Sequence, residues 1–408
     1  MRSKTVCVVG LGYIGLPTAA LLAHHGYSVF GVDVDPIAVD TINRGQIHIV
    51  EPELDSVVQS ALESARLKAF LTPQIADIYM ICVPTPFNNE GKIPTPDLSY
   101  VVSATRSIAP LIKADDIIIL ESTCPVGATH LVEKILVEEN VDTCLVNIAY
   151  CPERVLPGKI MIELIENDRI IGGLSLKSTS VVAAFYKTFV KGKILETTAK
   201  TAEMCKLAEN SFRDVNIAFA NELSKICDTH EIDVWNLIRL ANHHPRVEIL
   251  SPGPGVGGHC IAVDPWFLVS GDPENAGLIQ KGREVNDSKP DWVISTILKA
   301  VKNQKSSVNL ISKVKVACLG LTFKPDIDDL RESPAIKVAR LLQHHQVEIL
   351  AVEPNIKSHS EFTIISLESA LVEADIVVVL VKHKEFLSDE VKGQLRKIGA
   401  IDFCGALG

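Results

Sequence analysis

No two of the ten cysteines form a Cys-x-x-Cys pair. Scattered single thiols exclude a disulfide scaffold and a spaced zinc site, and they suit a reducing compartment. Basic blocks are missing as well: 40 Lys+Arg stand against 50 Asp+Glu, a formal net charge of −10. Such a chain gains no counterion-release energy on nucleic acid or an anionic membrane, so neither is expected as a partner. Nowhere does the chain reach the roughly 20 uninterrupted apolar residues that span a bilayer. One segment imitates an export signal, with Met1-Arg2-Ser3-Lys4 followed by an uncharged stretch from Thr5 to Ala23. Gly10, Gly12, Gly15 and Pro17 interrupt it, so it is not the short apolar helix of a signal peptide. A cytoplasmic protein is expected. Between Gly192 and Pro245 there is neither glycine nor proline, and Ala199 to Asp228 reads as one long helix.

What the chain does have is apolar material. Hydrophobic residues make up 47% of 408 positions and charged ones 22%, enough for two or three domains with real cores. Thr5-Val6-Cys7-Val8-Val9 is a continuous run of the kind buried on both faces of a parallel sheet. A glycine turn over 10–15 and a helix of small and apolar residues follow, then a strand over 27–32 closed by Asp33. Further strand-like runs at 78–83, 117–120 and 146–150 alternate with helical stretches, the pattern of a doubly wound sheet. The C-terminal part repeats the plan. A strand over 315–320 ends on Gly320, a helix covers 334–345, and a strand over 347–352 is closed by Glu353. A strand over 376–381 joins the same sheet, and a His-His pair precedes each second strand, His24-His25 and His344-His345. The predicted fold is α/β, with two Rossmann-like doubly wound domains joined by a central helical domain built on a long spine helix. The expected divisions are 1–195, 196–305 and 306–408.

Gly10-x-Gly12-x-x-Gly15, placed between strand and helix, is a dinucleotide fingerprint. Its glycines give the tight turn, the close approach of pyrophosphate and the close helix–strand packing, and the helix N-terminus faces the phosphates. Asp33, at the end of the second strand, suits both adenosine ribose hydroxyls and repels a 2′-phosphate, so NAD is expected rather than NADP. Cys260 ends a run of loop glycines, Gly253, Gly255, Gly257 and Gly258, and Asp264 follows four residues later. Most single cysteines are small buried hydrophobes. In a loop that lets backbone approach a ligand, a thiol of lowered pKa is instead a nucleophile. Both readings stand on these residues alone. Lys206 and Asn210 lie one helical turn apart, with Arg213 and Asp214 beyond; they are a solvated stripe or a pair that holds an oxyanion. Arg246 suits a carboxylate or phosphate, or the surface.

Six runs extend the argument along the whole chain: GLGYIGLP (10–17), ESTCPVG (121–127), CPERVLPG (151–158), AEMCKLAENSFRDVNIAFANE (202–222), GPGVGGHCIAVDPWF (253–267) and GLTFKPDIDDLRESPA (320–335). In that order they resemble the nucleotide-sugar 6-dehydrogenases, the UDP-glucose/GDP-mannose dehydrogenase family. IHIVEPEL (47–54), NIAYCPERVLPG (147–158) and HPRVEIL (244–250) resemble the branch acting on N-acetylmannosamine, with N-acetylglucosamine the near competitor. Pro157 stands where the UDP-glucose branch carries a second glutamate.

The resemblance implies an NAD-dependent four-electron oxidation of the sugar C6 alcohol, with Cys260 as nucleophile. Lys206 and Asn210 then hold the oxyanion, Asp264 positions water, and Glu153 is a weaker candidate for that role. Tyr13 and Ile14 join the cofactor loop, while Thr85 and Thr123 are cofactor-side contacts. Arg331 reaches a bound ligand across a subunit boundary. Arg154, Val155, Lys206, Asn210, Arg213, His244, Arg246, Gly257, Phe323 and Lys324 line the UDP-sugar surface. A homo-oligomer, a dimer, is expected, and no metal. A two-electron β-hydroxyacid dehydrogenase needs neither the Gly-Gly-x-Cys loop nor a second Rossmann-like domain. An NAD-binding sensor would not need Lys206, Asn210, Cys260 and Asp264 together.

Overall fold

The computed structural model describes residues 4–49, 51–88, 91, 93–156, 158–258, 260–307, 313–345 and 347–408. The readings that used Met1-Arg2-Ser3, Pro157 and His259 lie outside them. Two compact units form, Met1–Glu209 with Trp266–Gly271, and Asn210–Pro265 with Asp272–Gly408. No helix among the described residues is long and apolar enough to cross a membrane.

The first unit is built on an eight-stranded sheet. Its strands are β1 (Thr5–Val9), β2 (Ser28–Val32), β3 (Leu67–Phe70), β4 (Ile78–Ile81), β7 (Ile117–Leu120), β8 (Asn147–Tyr150), β9 (Arg169–Gly173) and β10 (Ile194–Thr198). A small antiparallel ribbon, β5 (Phe87–Asn88) with β6 (Thr95–Pro96), stands apart. The order β10-β9-β8-β7-β4-β1-β2-β3 winds outward from β1 in both directions, which leaves a crevice at the strand ends beside β1, where such sheets bind ligands. Alternate residues explain the unbroken apolar runs. Val6 and Val8 of β1 enter one core and Cys7 and Val9 the other, and Ile78/Met80 and Tyr79/Ile81 of β4 divide the same way. Both faces are therefore buried, as the composition of these strands requires. One departure from an all-parallel sheet occurs: β9 pairs antiparallel with β8.

Helices α1 (Gly15–His24), α2 (Pro36–Asn43), α3 (Leu54–Glu63), α4 (Ser99–Ile108), α5 (Ala128–Glu138), α6 (Ile160–Glu166) and α7 (Leu176–Tyr186) complete the first unit, which also takes the start of the 31-residue helix α8 (Ala199–Thr229). The second unit continues with α9 (Val234–Ala241) and α11 (Gly277–Ser307), while α10 (Asp264–Gly271) begins in it. Its sheet, ordered β12-β11-β13-β14, is wholly parallel: β11 (Val314–Leu319), β12 (Val347–Val352), β13 (Ile376–Val379) and β14 (Ile401–Asp402). Helices α12 (Pro334–Gln343), α13 (Leu367–Glu373) and α14 (Asp389–Lys397) flank it. Val293, Ile294 and Ile297 of α11 share one core with Val314, Val316 and Cys318 of β11, and Trp292 meets Phe403 edge-on at 6.0 Å. That burial joins the helical segment to the C-terminal sheet in a single compact unit.

The repeat visible in sequence is also a repeat of hydrogen bonds. Gly10 (φ +92°) donates to the Val32 carbonyl at 2.8 Å, and Gly320 (φ +90°) to the Val352 carbonyl at 2.8 Å. Leu11 N–H then donates to Asp33 (2.9 Å), and Leu321 N–H to Glu353 (2.7 Å). Only glycine fits either turn: a Cβ at Gly10 would lie 2.6 Å from the Cys82 carbonyl oxygen, and one at Gly320 2.4 Å from Val381 Cβ.

Candidate active site

In the first unit the predicted cofactor residues gather at the C-terminal ends of β1, β2, β4 and β7. Gly15 opens α1 so tightly against the turn that a Cβ there would fall 1.7 Å from the Gly10 carbonyl oxygen. At Gly12, by contrast, a Cβ would meet nothing within 4 Å. The middle glycine thus faces open space at a helix N-terminus, where a pyrophosphate fits. Asp33 is fixed from both sides, Oδ2 accepting from Leu11 N–H and Oδ1 from Asp35 N–H. Each oxygen keeps a lone pair for a ribose hydroxyl. Tyr13 packs against the core beside this turn, and Ile14 caps the start of α1. Across the crevice, Thr85 donates to the Thr123 carbonyl at 2.6 Å, tying the loops after β4 and β7.

In the second unit Cys260 is exposed. Its carbonyl accepts from Asp264 N–H at 2.8 Å, so the thiol sits one turn ahead of α10. Asp264 is only 2% exposed, and its carboxylate accepts from Asn210 Nδ2. The glycines ahead of the thiol press on the C-terminal Rossmann-like domain. A Cβ at Gly257 would lie 2.4 Å from the Glu332 carbonyl oxygen, one at Gly258 2.7 Å from the Phe323 ring, and Gly258 N–H donates to the Arg331 carbonyl at 3.2 Å. Cys260, Asn210, Asp264, Gly257 and Phe323 are therefore brought together. Lys206 precedes Asn210 by one turn of α8; it is 9% exposed and has no hydrogen bond or ion pair among the described residues. A shielded ammonium lacking a counter-charge favours an approaching anion.

These two arrangements carry the marks of a dehydrogenase acting on a nucleotide-linked substrate, and comparison with known proteins agrees. Models of one family match three successive segments: its NAD binding domain over 4–190, its central domain over 200–288 and its UDP binding domain over 317–407. The chain belongs to the UDP-glucose/GDP-mannose dehydrogenase family. It is 55% identical over 402 residues to the UDP-N-acetyl-D-mannosamine dehydrogenase of Yersinia pestis, covering 95% of each chain. It is 51% identical over 397 residues to an NDP-N-acetyl-D-galactosaminuronic acid dehydrogenase of Ralstonia nicotianae, covering 94% of this chain and 92% of the other. A solved UDP-D-ManNAc dehydrogenase from Pyrococcus horikoshii superposes with a TM-score of 0.89 at 37% identity, covering 99% and 96% of the two chains. The protein is an NAD-dependent nucleotide-sugar dehydrogenase with a UDP-sugar substrate. A two-electron β-hydroxyacid dehydrogenase and a non-catalytic NAD sensor are set aside.

Other residues expected of this dehydrogenase family fall in several settings. Arg154 gives its guanidinium to Glu209 (2.8 and 3.0 Å) and to the Asp168 carbonyl (3.1 Å), while Val155 packs on the first core. Arg331 lies in the second unit with its guanidinium forked on Asp329. Arg213, His244 and Arg246 are exposed, with Arg246 N–H donating to His244 Nδ1 at 3.3 Å. Lys324 is half-buried beside Phe323.

Glu153 is enclosed, paired with Arg169 at 2.9 Å and accepting from Arg154 N–H at 2.6 Å. Its neighbour Glu121 accepts hydrogen bonds from Tyr186 and Cys82. Burial first, then the nearby Glu153 charge, lifts the Glu121 carboxyl to about 7. The Arg169 guanidinium is ion-paired with Glu153, which leaves the Glu121 carboxyl held above the usual carboxylate range.

Sequence reasoning missed several polar anchors. Glu203, fully buried on α8, accepts from the N–H groups of Gly127 and Thr129 and from the Thr129 hydroxyl, joining two of the six runs. Glu51 accepts from Gly158 and Ile160 N–H and so fixes the 151–158 run against IHIVEPEL. The signal was an acid inside each run, but its partner lies more than 70 residues away. Asp326, His383 and Glu385 bring ligand atoms within 4.8 Å of one another. The His383 ring is already spent there, Nδ1 accepting from Asp326 N–H and Nε2 bonded to Glu353.

Proposed function

We propose that the protein oxidises the C6 alcohol of UDP-N-acetyl-D-mannosamine to the carboxylate, in two two-electron steps, through a covalent adduct on Cys260. The observation that carries this reading is the exposed thiol on a glycine loop pressed against Phe323 and Arg331, with the Asn210–Asp264 pair one turn away. UDP-N-acetyl-D-glucosamine is the alternative substrate.

Gly10, Gly12, Tyr13, Ile14, Gly15, Asp33, Thr85 and Thr123 hold NAD, which when bound accepts one hydride in each oxidation. The chain's own residues do the rest. After the first oxidation the Cys260 thiolate adds to the C6 aldehyde; a C–S bond forms and the oxygen takes a proton, giving a thiohemiacetal. The second oxidation leaves a thioester. Water, oriented by Asp264, attacks the thioester carbon, the C–S bond breaks, and carboxylate and thiol are released. Lys206 and Asn210 hold the negative oxygen at each addition. Covalent capture prevents escape of the aldehyde between steps.

Arg154, Val155, Arg213, His244, Arg246, Gly257, Phe323 and Lys324 bind the UDP-sugar, and Arg331 reaches the bound cofactor from a neighbouring subunit. We read 1–195 as the NAD-binding domain, 196–305 as the central helical domain and 306–408 as the UDP-sugar-binding domain. A homodimer forms through α8, where Phe212, Phe219 and Ile226, spaced seven apart, are 72%, 52% and 48% exposed; this is the repeat of a helix–helix seam. Ten scattered cysteines suit the cytoplasm.

The test is a side-by-side assay of NADH formation on UDP-N-acetylmannosamine, UDP-N-acetylglucosamine, UDP-glucose and GDP-mannose. The first is expected to have a kcat/KM at least about tenfold above the others. An equal or higher value for the glucosamine epimer overturns the choice of sugar.

A further inference from the structure

The loop that carries Cys260 is tied at its near end to a buried polar chain that the reaction scheme does not use. Asn221 of α8 is fully buried. Its Oδ1 accepts from Gly253 N–H at 2.9 Å, and its Nδ2 donates to Asn286 Oδ1 at 2.8 Å. Asn286 of α11, 1% exposed, donates in turn to the Asp214 carboxylate at 2.8 Å and to the Asp214 carbonyl at 3.0 Å. Arg283, also 1% exposed, closes the chain with Nη1 on Asp214 at 2.6 Å and Nη2 on Asp287.

The polarity of this chain is forced from its charged end. A carboxylate only accepts, so Asn286 must turn its NH2 toward Asp214 and its oxygen toward Asn221. Asn221 must then present NH2 to Asn286, which leaves its oxygen aimed at Gly253 N–H. Lys289 and Ser224 hold the same turn of α8, Lys289 Nζ and Ser224 Oγ both donating to the Asn221 carbonyl. The far half of the loop rests on the glycine contacts already described. The near half, at Gly253, has Asn221.

We infer that Asn221 is a positioning residue for Cys260: it anchors the start of the glycine loop with one hydrogen bond whose direction the Arg283–Asp214 ion pair fixes through Asn286. This rests on the reading of Cys260 as the nucleophile. Asn221→Asp keeps the shape but reverses the polarity, because a carboxylate oxygen then faces Asn286 Oδ1. Either that contact repels, or Asn286 turns over and sets its oxygen against Asp214.

The test uses the full-length enzyme with Asn221→Asp and Asn221→Ser, scored by steady-state kinetics on UDP-N-acetylmannosamine and by iodoacetamide alkylation of the Cys260 peptide across pH. Expected are a kcat lowered about tenfold, a KM for the UDP-sugar within about twofold of wild type, and a shifted pH profile for alkylation. Should the Asp variant be recovered unfolded, the Ser variant carries the same expectation. Unchanged kcat and an unchanged alkylation profile in a folded variant overturn the inference. Cys260→Ala separates the two layers. If it still forms acid, the nucleophile reading fails even where alkylation responds to position 221. If it abolishes acid while position 221 changes nothing, the positioning role alone fails.

Discussion

Replacing Glu121 by Gln probes the buried pair behind the cofactor turn. In the folded protein the Glu121 carboxyl is lifted from 4.5 to about 7 by burial and by Glu153. Between those values the folded state holds a proton that the unfolded chain has released. Stability contributed by the protonated form is therefore complete below pH 4.5 and is lost as pH rises through about 7. A shift of that size corresponds to about 3 kcal/mol. Gln is neutral and of the same shape, and its oxygen still accepts from Tyr186. The slope of stability against pH between 4.5 and 7 should then shrink by most of that amount. At pH 8 the variant should match or exceed wild type, by up to about 2 kcal/mol once one imperfect amide hydrogen bond is deducted. Urea unfolding followed by circular dichroism at half-unit pH steps reads this directly. Parallel wild-type and variant curves across pH 4.5–8 would refute the reasoning.

Glu153→Gln should behave oppositely, costing about 3–5 kcal/mol at neutral pH because it strands the buried Arg169 guanidinium; calorimetry checks it. Gly12→Ala should fold normally yet bind NAD at least about tenfold more weakly in titration calorimetry, since the space its methyl fills is open in the protein alone. Gly15→Ala, whose methyl would strike the Gly10 carbonyl, should instead lower the melting temperature. Lys289 is pulled down from 10.5 to about 7, by burial first and then by Lys225. Wild-type stability should rise between pH 7 and 10 as the unfolded state alone keeps that proton. Lys289→Met should flatten this rise and raise the melting temperature at pH 7.

Much of the fold was legible because buried parallel strands announce themselves as unbroken apolar runs, and because glycine turns mark where those strands end. The strand expected at 376–381 stops at Val379: Leu380 and Val381 are equally apolar and buried, but both N–H groups turn to the Leu319 carbonyl. The antiparallel strand β9 was not legible at all, since Arg169-Ile170-Ile171-Gly172-Gly173 holds only two apolar side chains between an arginine and two glycines. Nor was the packing of α11 on the C-terminal sheet, which depends on the helix face carrying Val293 and Ile297. At the candidate site, residue types and spacing marked Cys260, Asn210 and the glycine turn. Their supports, Glu203, Glu51 and Asn221, act through partners 32 to 109 residues away, a relation that periodicity does not carry.

The most direct measurement counts NADH against UDP-N-acetylmannosamine consumed to completion, with the sugar product identified by mass. Two NADH per sugar, with only the uronate released, is the expected result, and Cys260→Ala should yield no acid. One NADH per sugar with free aldehyde, or full acid formation by the Ala variant, would contradict the covalent four-electron scheme.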